Sequence, residues 1–434
     1  MRIITDGCLP DIPEPLPSCP PSDIALAVDV GTTTVAVAAW SLSERRILAV
    51  VAERNAQHVF GADVISRIDC AVRGSFGKIR ALILSQLSRM FSSALFSSSR
   101  ELPRGFRPAV RRIAVTGNTT MMSFLAGFPV DGLSAVPFRP ASQFGFEIPW
   151  GDLCAAVPSV NSAVPKNVPV YFPPVVGAFV GADTVCAMVA SSFSLSSEKP
   201  VLLADVGTNS ELALLVPKTE KTPAKILCTA AAAGPAFEAA NISSGMPSVD
   251  GAVDKVSVVG GVFSARVIGG KNALGLCGSG LVSAVSAFLE CGAVGEDGAI
   301  AGGGQIEICS GVFVSQEDIR NFQLAKSAVA TGIGFLLSRL PDGLPQAEFI
   351  IAGGFGSRID VGEAVRTGLF PKKICESALQ VGNAALFGAS ALLFSDSLRK
   401  KADELRASSF LVNLAAIPGF QEKFLGNISL REMR

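Results

Sequence analysis

The chain has 434 residues, 49% of them apolar and 17% charged, which is enough to bury two cores of ordinary domain size and excludes a disordered protein. Lys plus Arg and Asp plus Glu balance at 37 each, so no polycationic surface exists for nucleic acid or for an anionic membrane, and partners must be recognised by shape. The longest apolar stretches are interrupted, as Pro173, Pro174 and Asp183 interrupt the run from Tyr171 to Phe193, so no membrane-spanning helix is expected.

Residues 1–22 carry prolines at 10, 13, 15, 17, 20 and 21 and no hydrophobic period, the pattern of an extended tail or linker remnant. A secretory signal would need an apolar segment there, so the expected location is cytoplasmic. Folding is expected to begin near Asp23, with strands over 24–30, 35–42 and 47–53 in a β-meander. Between the first two lies Asp29-Val30-Gly31-Thr32-Thr33-Thr34. An Asp at a strand end, a Gly at the bend and hydroxyls behind it make a cradle for phosphate, with the carboxylate holding a hydrated cation. One such turn is most often an ordinary hairpin.

Residues 63–99 carry apolar positions at helical spacing (Ile65, Ile68, Ile79, Leu82, Leu87, Phe91, Leu95), with breaks at Gly74 and Gly77, so helices should cover the meander. Arg67 and Asp63, four apart, either pair with each other or sit at the mouth of a cleft. A strand over 111–116 should run into Gly117-Asn118-Thr119-Thr120 and a helix, where Asn118 or Thr119 either caps the helix or helps its N-terminus face an anion. Residues 128–174 read as an irregular surface excursion and 177–191 as a helix.

From Pro200 the pattern repeats. Strands over 201–206 and 211–216 flank Asp205-Val206-Gly207-Thr208-Asn209-Ser210, and a third strand covers 225–229. Two copies of the turn point to a duplicated lobe with one turn from each half facing a shared cleft. Glu211, just after the second copy, is either a water-orienting residue or a solvent-facing strand residue. Further on come a helical turn at Pro235, a hairpin around Gly260-Gly261, and a turn at Cys277-Gly278-Ser279-Gly280 that opens a helix. A helix over 316–340 should start at the N-cap Ser315. A strand over 348–352 ends in Gly353-Gly354-Phe355-Gly356, where the missing Cβ atoms would let a flat ring such as adenine approach the backbone. Helices around 362–367 and 381–395 follow.

The ten cysteines form no C-x-x-C pair and no ferredoxin-type run, so most should be reduced, buried and small, and no iron–sulfur cluster is expected in this chain. Cys277 is either a reactive thiol at a helix start, one of a pair holding a cluster between two subunits, or simple packing beside Gly278 and Gly280. His58, the only histidine, is either a contact for a partner or a satisfied structural residue.

Asp29 to Thr34, Asp205 to Glu211 and Ile351 to Gly356 together resemble the phosphate 1, phosphate 2 and adenosine motifs of the acetate kinase, sugar kinase, Hsp70 and actin superfamily. Longer stretches are similar to the reductive activators of corrinoid-dependent enzymes: Asn55-x-Gln57, Phe60-Gly61-Ala62-Asp63-Val64-Ile65-Ser66-Arg67-Ile68, Gly117-Asn118-Thr119-Thr120-Met121, Pro137-Phe138-Arg139-Pro140, Ala233-Gly234-Pro235-Ala236-Phe237-Glu238, Cys277-Gly278-Ser279-Gly280-Leu281, Asp318-Ile319-Arg320 with Gln323-Leu324-Ala325-Lys326, and Val381-Gly382-Asn383-Ala384.

The resemblance implies an α/β, two-lobed actin-like ATPase with ribonuclease H-like lobes. Its parts would be a tail over 1–22, lobe I over 23–199, lobe II over 200–400 with its last helix free to return to lobe I, and a C-terminal segment over 401–434. It implies ATP-dependent reduction of a corrinoid protein or corrinoid methyltransferase from Co(II) to Co(I). ATP and Mg²⁺ would be bound with Asp29 and Asp205 organising metal and water and Glu211 orienting the water. Gly31, Thr32, Thr33, Thr34, Gly207, Thr208 and Asn209 would surround the phosphates, and Gly353, Gly354, Phe355 and Gly356 the adenosine. Family members carry an N-terminal [2Fe–2S] domain, whereas this chain starts with the proline-rich tail, so a separate electron-donor protein is expected. A homodimer is compatible with the sequence. A small-molecule kinase of the same fold and a nucleotide-gated, actin-like interaction protein are the alternatives.

Overall fold

The computed structural model describes residues 7–157, 160, 162–191, 193–207, 209–270, 272–309 and 311–433. They form two compact units, one made of Met1–Leu195 with Asn383–Leu411, the other of Ser196–Gly382 with Val412–Arg434.

The first unit is built on a sheet of β1 (Asp23–Val30), β2 (Thr34–Ser41), β3 (Ile47–Arg54), β4 (Ala109–Gly117), β5 (Phe146–Pro149) and β6 (Pro169–Phe172), in the order β3-β2-β1-β4-β6-β5. The first three strands are the antiparallel meander, and β4 and β6 add in parallel beside β1. The helix Phe76–Ser98 lays Ile79, Ile83, Leu87 and Phe91 against Val28, Val37 and Val115 in one core. Phe91 and Trp150 meet with ring centroids 5.1 Å apart, and each large apolar side chain buried this way contributes about 2 kcal/mol.

In the second unit β7 (Val201–Asp205), β8 (Ser210–Val216) and β9 (Lys225–Ala231) repeat the meander, with strands Glu348–Ala352 and then Leu379–Gly382 added in parallel beside β7. Three antiparallel strands followed by two parallel ones is the arrangement already met in β3-β2-β1-β4-β6. The helices Gly278–Glu290 and Gln316–Leu337 cover this sheet, with Leu281, Val285, Phe322 and Ile333 packed among Leu202, Leu212 and Ile351.

Local chemistry sets the element ends. Asn118 caps the helix Thr119–Ala126 by accepting the Met121 N–H at 3.0 Å. Ser315 and Asp318 form a reciprocal capping box at the start of Gln316–Leu337. Gly74, at φ 99°, breaks the first helical stretch as expected, but Gly77 lies inside Phe76–Ser98. The stretch 128–174 differs from the expected excursion, because it supplies β5, β6 and the helix Trp150–Cys154. Its strands are four residues long, and Pro149 and Pro169 stand opposite each other at their ends, where a missing N–H is tolerated. Val381 and Gly382 end a strand instead of opening a helix, and Asn383 caps Ala384–Phe394. The hairpin of Gln305–Cys309 with Val312–Ser315 and the helix Asp396–Ala407 were not expected. No helix among the described residues is long and apolar enough to cross a membrane.

Candidate functional site

The first turn leaves β1 at Val30 and returns at Thr34, where the Gly31 N–H donates to the Thr34 carbonyl at 3.0 Å. A Cβ on Gly31 would lie 2.7 Å from that oxygen, so the tight return requires glycine. The other carbonyls of the turn are also engaged. The Asn55 side-chain amide donates to Gly31 O at 2.8 Å, Arg67 to Thr32 O at 2.7 Å, and the Asn55 backbone N–H to Thr33 O at 2.8 Å. No carbonyl of the turn is therefore left to repel an anion, and what the turn offers a ligand is N–H groups and hydroxyls. Thr32 is buried with its hydroxyl oxygen accepting from Asn118 at 3.0 Å, and Thr34 is exposed.

Asp29 lies at the C-terminal end of β1, on the sheet edge where parallel strands hold ligands. The neighbouring strand β4 ends at the same edge in Gly117 and Asn118, and Gly181 packs so closely on Asn118 that a Cβ there would collide with its backbone. This contact sets the start of the helix Ala182–Ala190 and with it Asp183. Burial pushes the Asp183 carboxyl up to about 6, against the opposing effect of N–H donors that include Thr184 at 2.8 Å. Burial also raises the Cys186 thiol, against the opposing effect of the Thr116 side chain, and the charges of Asp183 and Asp29 raise it further. Asp183 was not among the candidates read from the sequence, because its signal, an acid after a glycine at a helix start, depends on recognising β6 first.

In the second unit Asp205 and Glu211 stand directly opposite each other across β7 and β8, so their side chains share one face of the sheet. Like charges facing each other across a strand pair repel, and a cation between them would offset that repulsion. The first unit has no second acid in the matching place, where Asp29 faces Ala36. Gly207 and Asn209 are half-buried in the turn, the Ser210 hydroxyl donates to Gly207 O at 3.3 Å, and Thr208 lies outside the described residues.

The Gly-Gly stretch sits beside this turn because Ala352 pairs with Asp205. Gly353 adopts φ 88°, and a Cβ on it would strike the Asp205 carboxylate. Its first role is thus to admit Asp205. Residues Gly353–Gly356 form one helical turn, and the Phe355 ring stacks on Phe237 at 4.9 Å and 26°.

Other expectations resolve into structure. The charges of Asp63 and Arg67 favour each other, but the side chains are committed elsewhere: Asp63 caps the helix Val64–Cys70, and Arg67 is fully buried beneath the first turn. His58 engages the Asn55 carbonyl through Nδ1 at 2.9 Å. The buried Cys277 thiol donates to Val253 O at 3.3 Å. Among the described residues no three of His, Cys, Asp or Glu gather into a metal site.

Two family models match the chain, the RACo middle region over residues 24–196 and the C-terminal domain of RACo, the ASKHA domain, over residues 199–434. The chain is similar to the corrinoid activation enzyme RamQ of Eubacterium limosum, with 28% identity over 93% of this chain and 69% of RamQ. It is also similar to a Methanosarcina barkeri protein named as the reductase of the Co(II) methylated amine-specific corrinoid protein, with 25% identity over 86% of this chain and 70% of that one. Among solved structures, a reductive activator for a corrinoid, iron–sulfur protein superposes with a TM-score of 0.82 at 26% identity, covering 96% of this chain and 67% of the other.

Proposed function

Because the chain belongs to the RACo family, through both its middle region and its ASKHA domain, we infer that it is an ATP-using activator that returns a corrinoid protein from Co(II) to Co(I). The nucleotide part rests on one observation: the same Asp-Val-Gly-Thr turn closes the first hairpin of the same strand order in each unit. The corrinoid part rests on what the relatives are named for.

ATP is the proposed nucleotide. Gly31, Thr32, Thr33 and Thr34 in one turn and Gly207, Thr208 and Asn209 in the other are proposed to hold phosphate oxygens, and Gly353, Gly354, Phe355 and Gly356 to form the adenosine wall. Mg²⁺ fits the acids present, since Asp205 and Glu211 face each other in register and a divalent cation would offset their repulsion. When bound, it would neutralise charge on the phosphates. In hydrolysis a water oxygen bonds to the γ-phosphorus, the bond from that phosphorus to the β–γ bridging oxygen breaks, and ADP and phosphate leave. Asp29 is proposed to organise that water, and Asp183 in the same unit, raised by burial to about 6, to take its proton.

Co(I) is a poor product for ordinary reductants, so nucleotide turnover must bias a conformational equilibrium in favour of electron transfer. The electron is proposed to come from a separate donor protein.

The test mixes the purified chain, ATP, a low-potential reductant and a Co(II) corrinoid protein, and follows Co(I) absorbance. ATP-dependent formation of Co(I) supports the reading. Reduction indifferent to ATP, or none where an established activator succeeds, overturns it.

A further inference from the structure

Arg67 is a cation with no exposed surface. Its fork reaches two backbone carbonyls and a thioether: Nη2 donates to Thr32 O at 2.7 Å, Nε to Gly61 O at 3.0 Å, and Nη1 to Met121 Sδ at 3.4 Å. Asp63 is the acid whose charge favours the guanidinium, but its two oxygens are committed to Ser66, accepting the backbone N–H at 2.8 Å and the hydroxyl at 2.8 Å. Arg54 adds like charge nearby. A buried guanidinium bonded to neutral acceptors is expensive to keep, and a hydrophobic residue would ordinarily be the more stable choice.

Thr32 is in the middle of the turn proposed to bind phosphate, so this inference rests on that reading. We propose that Arg67 is the positioning residue of the first phosphate turn, a built-in cation whose counter-charge is supplied by the phosphates the turn receives. It acts in two ways. By holding Thr32 O and Gly61 O together, its planar fork fixes the turn's peptide orientation, which a lysine's single ammonium cannot reproduce. Its charge, little screened in the interior, draws an anion to the turn it supports. Before phosphate binds, the cation lacks full compensation. Nucleotide binding should therefore stabilise this chain through Arg67 as well as through direct contacts.

The test measures affinity for Mg·ATP and for adenosine, by displacement of a fluorescent nucleotide, in the wild type, Arg67→Met and Arg67→Lys. Loss of the charge-assisted fork should raise the ATP dissociation constant of Arg67→Met about tenfold or more, with adenosine unchanged and Arg67→Lys falling between. The wild type labelled with ¹⁵N-arginine gives an independent reading should Arg67→Met not fold. A solvent-protected Nε–H resonance, assigned by its absence from Arg67→Lys, should shift on adding ATP and stay in place on adding adenosine. Equal losses for ATP and adenosine, an unaltered ATP affinity, or a resonance indifferent to ATP would each reduce Arg67 to a structural staple. A wild type that binds no ATP would instead bring down the nucleotide reading itself.

Discussion

Asp205 and Glu211 face each other across the hairpin that carries the second Asp-Val-Gly-Thr turn, and Gly353 leaves the space into which the Asp205 carboxylate extends. The pairing of β7 with β8 sets the first relationship, and that of β7 with Glu348–Ala352 sets the second. If the two acids share a cation, Asp205→Asn should lower ATPase turnover by about a hundredfold, the scale for removing one organised electrostatic group. Glu211→Gln should act mainly by raising the Mg²⁺ concentration needed for half-maximal turnover. Phosphate release followed over a Mg²⁺ titration checks both, and an Asp205→Asn protein as active as the wild type would dispose of the metal assignment.

Gly353→Ala should be more damaging than alanine at a glycine constrained by its dihedral alone. Gly303 is the comparison, with φ 76° and open space around it. Alanine at positive φ costs roughly 1 kcal/mol, so Gly303→Ala should lower the melting temperature by a few degrees and leave turnover alone. Gly353→Ala adds displacement of Asp205 and should also reduce turnover. Equal behaviour of the two variants in both assays would show that the space beside Asp205 is not needed.

The parts legible in the sequence are those whose physics is local. Apolar, β-branched runs on either side of a Gly-Thr turn marked β1, β2, β7 and β8, and Ser315 announced its helix three residues before Asp318 completed the capping box. The strands β5 and β6 were hidden because they are four residues long and rich in proline, and without β6 the helix start at Gly181 had no sheet edge to belong to. Arg67 shows the other limit. Its spacing from Asp63 suggested a pair on one helix face, whereas its partners, Gly61, Thr32 and Met121, are set by how the chain returns over the meander.

Asp183 predicts a pH dependence of defined sign. Its folded carboxyl is raised to about 6 from the ordinary value of 3.8, so the folded state prefers the protonated form. The stability this confers is fully present below about 4 and is lost as pH rises through about 6. Asp183→Asn removes the charge, and it should make the protein more stable than the wild type at pH 8 by roughly 1–3 kcal/mol, with the gap closing by pH 4. Turnover should move the opposite way. Wild-type ATPase should climb as pH passes about 6, and Asp183→Asn should lose that limb along with most of its rate. Denaturant melts and rate profiles from pH 5 to 8 test the two halves separately, and a rate profile unchanged by the substitution would leave Asp183 a buried acid without a catalytic task.

Lys326 tests the same linkage with the sign reversed, away from the turns. It is buried in the helix Gln316–Leu337, where its ammonium donates to the Ser429 carbonyl at 2.5 Å and ties the chain's last segment to that helix. Gln323 makes a second tie, donating to Ile428 O at 3.0 Å. Burial, with a smaller contribution from the like charge of Arg431, lowers Lys326 to about 8. A depressed amine stabilises the fold above its unfolded value, near 10.4, and that contribution is lost as pH falls through about 8. The wild type should therefore gain stability relative to Lys326→Met between pH 8 and pH 10. At pH 7 the buried ammonium remains charged against a single neutral acceptor, so the methionine variant should equal or exceed the wild type in stability. Denaturation midpoints for both proteins at pH 7, 8.5 and 10 decide the matter. If the two curves run parallel, Lys326 holds the same proton in the folded and unfolded chain, and its hydrogen bond to Ser429 fully compensates its burial.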